Sequence, residues 1–111
     1  MEETKSRSVE CKLLKKNRRY IEKMMKADLE WFANELNDDD VAVLSDAQFN
    51  VVANPKSMLT PEQKASEMFK LLLNRVDLDS RSFGVFLTIL KKKKFKFRPI
   101  LAMLDLGKKP S

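Results

Sequence analysis

The chain has 111 residues, 43% of them hydrophobic, which is enough for one hydrophobic core and too few for two. It holds no histidine and a single cysteine, so His/Cys zinc sets, Ser-His and Cys-His dyads and structural disulfides are excluded, and neither metal, cofactor nor catalysis is expected. The formal charge is +6, no apolar run reaches the ~18 residues a membrane span needs, and the Glu2-Glu3-Thr4-Lys5 start is unlike a signal peptide.

Two glycines and four prolines leave too few turn signals for a sandwich or barrel, and the abundance of Leu, Lys, Glu, Met and Ala predicts helices. Residues 1–8 are expected to be a disordered N-terminus. From Val9 to Met25, the apolar residues Val9, Leu13, Tyr20, Ile21, Met24 and Met25 recur at helical spacing between lysines and arginines, predicting one amphipathic first helix. Cys11, within it, reads as an ordinary reduced thiol of a cytosolic or nuclear protein. A second helix starts at Asp28 as cap, carries Leu29, Phe32, Ala33 and Leu36, and stops at Asn37-Asp38-Asp39-Asp40. Trp31 lies off that stripe and is expected at the core edge. Leu44-Ser45-Asp46-Ala47-Gln48-Phe49 is a capping box with a staple and opens a third helix that ends before Asn54-Pro55. Thr60-Pro61-Glu62-Gln63 repeats the box and opens a fourth helix with the stripe Ala65, Met68, Phe69, Leu72 and Val76. Asp77-Leu78-Asp79 supplies a turn and a new cap. The fifth helix then buries Phe83, Phe86, Leu87 and Leu90 and runs out into Lys91 to Lys94. Pro99 starts a short sixth helix with Ile100, Leu101, Met103 and Leu104, Gly107 closes it, and residues 107–111 form a flexible tail.

Six short helices in this order resemble the caspase-recruitment domain, a branch of the death-fold superfamily. The resemblance covers residues 9–106 and rests on Leu13-Leu14-Lys15-Lys16-Asn17-Arg18 followed by Ile21, on Leu29 to Leu36, on Val43-Leu44-Ser45-Asp46, on Ala65 to Leu73 and on Phe83 to Leu90. It implies an all-α, antiparallel six-helix bundle. The chain departs from the family in lacking a glycine turn before the fifth helix, and in keeping only Lys64, flanked by Lys56, where a basic pair commonly opens the fourth.

Charge is segregated along the chain. Residues 1–27 hold nine basic and four acidic side chains, residues 28–54 hold seven carboxylates and no cation, and residues 55–111 hold thirteen basic and five acidic. Basic and acidic patches on one rigid body can pair head to tail, a contact that propagates unless rotation closes it. By resemblance, the basic face of the first and fourth helices comprises Arg18, Arg19, Lys15 and Lys64. The acidic face of the second and third comprises Glu30, Glu35, Asp38, Asp39, Asp40 and Asp46. The resemblance also implies an adaptor in apoptotic or inflammatory signalling. Its partner is another caspase-recruitment domain or a second copy, assembling into oligomers or filaments, and no small-molecule substrate is expected.

The Lys91-Lys92-Lys93-Lys94-Phe95-Lys96-Phe97-Arg98 run supports an alternative reading, an anion-binding helical domain. There Lys91, Lys92, Lys93, Lys94, Lys96 and Arg98 meet nucleic acid or anionic lipid, and Phe95 and Phe97 stack on bases or enter a lipid interface. The expected location is the cytoplasm, with the nucleus as the alternative because the same run resembles a nuclear-localisation signal.

Overall fold

The structure, a computed structural model, describes residues 9–104, so the expected N-terminal disorder, the Gly107 stop and the flexible tail lie outside the described residues. Seven helices and no strand occur among them: α1 (Val9–Lys16), α2 (Arg18–Ala27), α3 (Leu29–Asn37), α4 (Asp46–Ala53), α5 (Pro61–Leu78), α6 (Arg81–Lys91) and α7 (Arg98–Met103). All contribute to one hydrophobic core.

The predicted first helix is two helices, divided at Asn17, and this is why the count is seven. Asn17 leaves helical geometry at φ −104° and ψ 16°, and its side-chain amide donates to the Leu13 carbonyl at 3.0 Å, bonding locally beside the helix ladder. The break changes which residues face inward. Cys11, Leu14, Ile21 and Met25 are fully buried, whereas Val9 and Tyr20, both placed on the predicted stripe, are 63% and 45% exposed.

The backbone of the bundle is α5, whose 18 residues span about 27 Å. Its predicted stripe is buried in full, with Leu73 added. Three contacts lay α1 and α2 antiparallel along it. Cys11 Sγ donates to the Leu73 carbonyl at 3.7 Å and lies 3.8 Å from Asp77 Oδ1, the Arg18 guanidinium donates to Ser66 Oγ at 3.4 Å, and Lys26 pairs with Glu62 at 2.7 Å. The Lys26 ammonium also holds the Glu62 carboxyl below the ordinary glutamate range.

Both capping boxes form as predicted. Ser45 Oγ accepts from Gln48 N–H at 3.2 Å while Gln48 Oε1 accepts from Ser45 N–H at 2.9 Å, and Thr60 with Gln63 does the same at 3.1 and 2.9 Å. Because α5 carries the other helices, the second box is the more consequential. Thr60→Ala is expected to lower stability by about 1 kcal/mol, read as a shifted urea midpoint with unchanged slope.

Two predicted caps differ. The Asp28 side chain makes no cap bond, because its carboxylate is taken by Lys96. At the start of α6, Asp79 accepts from the backbone N–H of Arg81 at 3.1 Å and from its guanidinium at 3.1 and 3.0 Å. Those bonds hold the Asp79 carboxyl below, and the Arg81 guanidinium above, their ordinary values. Between α3 and α4 the chain turns sharply through Ala42, at φ 53°, a left-handed conformation that is costly for alanine. The turn is held by Val41 and Ala42 N–H donating to the Asp38 carbonyl at 2.9 and 2.7 Å, and by Val43 and Leu44 N–H donating to the Leu36 carbonyl at 3.0 and 2.9 Å.

Candidate functional site

Lys15, Lys16, Arg18, Arg19 and Glu22 line one shallow depression where α1 gives way to α2, so three of the four predicted basic-face residues come together. Arg18 is the most constrained of them. Its Nε donates to Glu22 Oε2 at 2.7 Å, a second guanidinium nitrogen reaches Ser66, and its Cζ stands 5.2 Å from the Phe69 ring centroid. The side chain is still 45% exposed. A guanidinium has five N–H donors, so Arg18 presents a pre-oriented remainder of its fork to solvent, and less side-chain entropy is lost when a carboxylate binds there.

Lys64 does not join this group. It lies about 160° around α5 from Ser66, and its ammonium donates to the Asn54 carbonyl at 3.2 Å, closing the C-terminal end of α4. The basic depression is therefore built from α1 and α2, with α5 contributing the surface that holds Arg18.

The acidic segment divides in two. Asp28 and Glu35 are partly buried and turned toward the basic run, where Lys96 and Lys92 pair with them. The Glu35 carboxylate, with a further contribution from Asp38, raises the Lys92 ammonium above the ordinary lysine value. Between these two pairs, the Lys93 ammonium stands 4.4 Å from the Trp31 ring centroid, and Trp31 and Phe32 pack on Phe97 at 5.8 and 5.5 Å between ring centroids. The connection between α6 and α7 is thus strapped across α3. Trp31 is partly buried at the core edge as expected, and Phe97 is only 2% exposed, which removes it from the predicted stacking or lipid-facing set.

Asp38, Asp39, Asp40 and Asp46 are exposed and make no ion pair among the described residues. They sit at one corner. Asn37 donates to Asp46 Oδ1 at 3.2 Å and to the Leu44 carbonyl at 3.1 Å, and Asp38 Oδ1 accepts from Asp40 N–H at 2.8 Å. Glu30 is exposed at the opposite end of α3, about 12 Å along the helix from Asp38.

The strap had a readable signal in the chain. Asp28, Trp31 and Glu35 recur at steps of three and four, placing acid, aromatic and acid on one helical face, and Lys92, Lys93 and Lys96 supply the three matching cations. Among the described residues, no cluster of three or more His, Cys, Asp or Glu is arranged to hold a metal ion, and no helix is long and apolar enough to cross a membrane. Comparison with protein-family models, curated proteins and solved structures finds no match to this chain.

Proposed function

We propose that the chain is a protein-interaction module of the caspase-recruitment type, an adaptor whose basic depression at Lys15, Arg18 and Arg19 receives the acidic corner Asp38–Asp40 and Asp46 of a second copy or of a similar domain. The observation that carries this reading is the sorting of the acidic residues. Two carboxylates are consumed inside the molecule, and four others are gathered at one corner and form no ion pair among the described residues. A contact between two different faces is heterologous, so each bound copy offers a new acidic corner and a new basic depression, and chains of molecules follow unless the geometry closes. Apoptotic or inflammatory signalling follows from the resemblance to the family and stands or falls with it.

The test is light scattering of the wild-type protein across salt, from about 50 mM to about 500 mM, with and without a single-stranded oligonucleotide. Assembly that needs no nucleic acid and dissolves as salt rises is expected. A protein that stays monomeric at high concentration in low salt, with no similar domain as partner, removes the homotypic reading. Association only upon adding oligonucleotide, with a steep salt slope, replaces it with phosphate binding.

A further inference from the structure

The connection between α6 and α7 sends its side chains in two directions. Lys92, Lys93, Lys96 and Phe97 turn in toward α3, while Lys91, Lys94, Phe95 and Arg98 are exposed. Phe95 is the extreme case, 81% exposed at the turn, with the Arg98 guanidinium carbon 5.9 Å from its ring centroid. The three outward cations have no ion-pair partner among the described residues. Phe95 contributes nothing to the core, and it lines one open depression together with Lys91 to Lys94 and Lys96.

The surface continues from the turn onto α2. Tyr20, Met24 and Ala27, along one edge of α2, line a cleft with Lys96 and Phe97, and Lys23 stands beside them. A neighbouring depression joins Tyr20 to Met103 of α7, which is 40% exposed, with Lys16, Arg19 and Lys23 around it. Phe95, Ala27, Tyr20 and Met103 are thus exposed on a surface that also carries Lys16, Arg19, Lys23 and Lys96.

We propose that this surface docks the protein on an anionic membrane, with Phe95 entering the interfacial layer and Lys91, Lys94 and Arg98 lying against lipid headgroups. Charge selects an anionic partner, and the aromatic count selects a membrane over nucleic acid. Single strands are held by successive bases stacking on several aromatic faces. Here Phe97 is buried and Lys93 occupies the face of Trp31, which leaves Phe95 as the one open ring of the turn, with the half-exposed Tyr20 on a separate helix, too few for a run of stacked bases. Exposed basic residues near an anionic leaflet each add about five-fold to binding, so the three at the turn give roughly a hundredfold preference for anionic over zwitterionic lipid. The surface meets the basic depression of α1 and α2 at Lys16 and Arg19, but the turn residues Lys91, Lys94, Phe95 and Arg98 lie outside that depression, so the proposal does not rest on homotypic association.

Co-sedimentation of the full chain with phosphatidylcholine vesicles, with and without about 30% phosphatidylserine, tests it. Wild type is expected to bind only the anionic vesicles. The double variant Lys94→Gln/Arg98→Gln is expected to bind about 25-fold more weakly, and Phe95→Ser about tenfold more weakly, with unchanged circular dichroism since all three side chains are exposed. Absent or equal binding to the two vesicle types overturns the proposal, as does wild-type binding by Phe95→Ser. An oligonucleotide of about 30 nucleotides that binds through Lys94 and Arg98, while anionic vesicles do not bind, reassigns the surface to nucleic acid.

Discussion

Phe32→Ala is expected to destabilise the protein by about 3–5 kcal/mol, a large share of the roughly 5–15 kcal/mol available to a domain of this size. Phe32 is fully buried, and its ring stands edge-on to Trp31 at 4.9 Å between centroids and 5.5 Å from that of Phe97. Removing it therefore leaves a cavity and also deletes two aromatic pairs, each worth ~0.5–1.5 kcal/mol beyond the area they bury. Phe97 packs at the start of α7, so the loss should reach the strap over α3. The melting temperature should fall by more than about 15 °C, and Trp31 emission should shift to the red while the variant is still folded. A fall in stability below about 1 kcal/mol would show that the Trp31–Phe32–Phe97 cluster does not anchor the strap.

Arg18→Glu is expected to weaken self-association or partner binding by at least about thirty-fold, the effect of losing a central arginine anchor at an interface. The same change has a smaller internal cost. It replaces the Arg18–Glu22 pair with two acids four residues apart, worth ~0.2–0.5 kcal/mol in each direction, and removes the cation held over Phe69, worth ~0.5–1 kcal/mol. The melting temperature should drop by only about 5–10 °C, so binding measured well below the transition separates the two effects. Mixing Arg18→Glu with a second copy carrying Asp46→Lys should restore pairing, because the intact acidic corner of the first then meets the intact basic depression of the second. Wild-type assembly by Arg18→Glu alone would remove Arg18 from the interface.

The elements whose cause is local were legible in the chain. Each capping box is closed between residues three apart, Ser45 with Gln48 and Thr60 with Gln63, so both helix starts could be placed before any packing was known. The stripe of α5 was equally plain, since helical spacing alone decides which of its residues share a face. The basic group of Lys15, Arg18 and Arg19 was also legible, being drawn from five consecutive positions. Less legible was Asn17, whose side chain bonds the Leu13 carbonyl and divides a run of residues that otherwise reads as one helix.

What the chain order determined by itself is a helical protein with basic, acidic and basic segments and a few well-marked helix starts. Tertiary structure decided which of those charges remain available. Lys92 reaches Glu35 across 57 positions and Lys96 reaches Asp28 across 68, while Lys64 turns to the Asn54 carbonyl, away from Arg18. Local pattern constrains which face of its own helix a residue occupies. Which neighbour covers that face depends on how the helices pack, and for a long lysine side chain that choice separates an internal tie from an exposed contact.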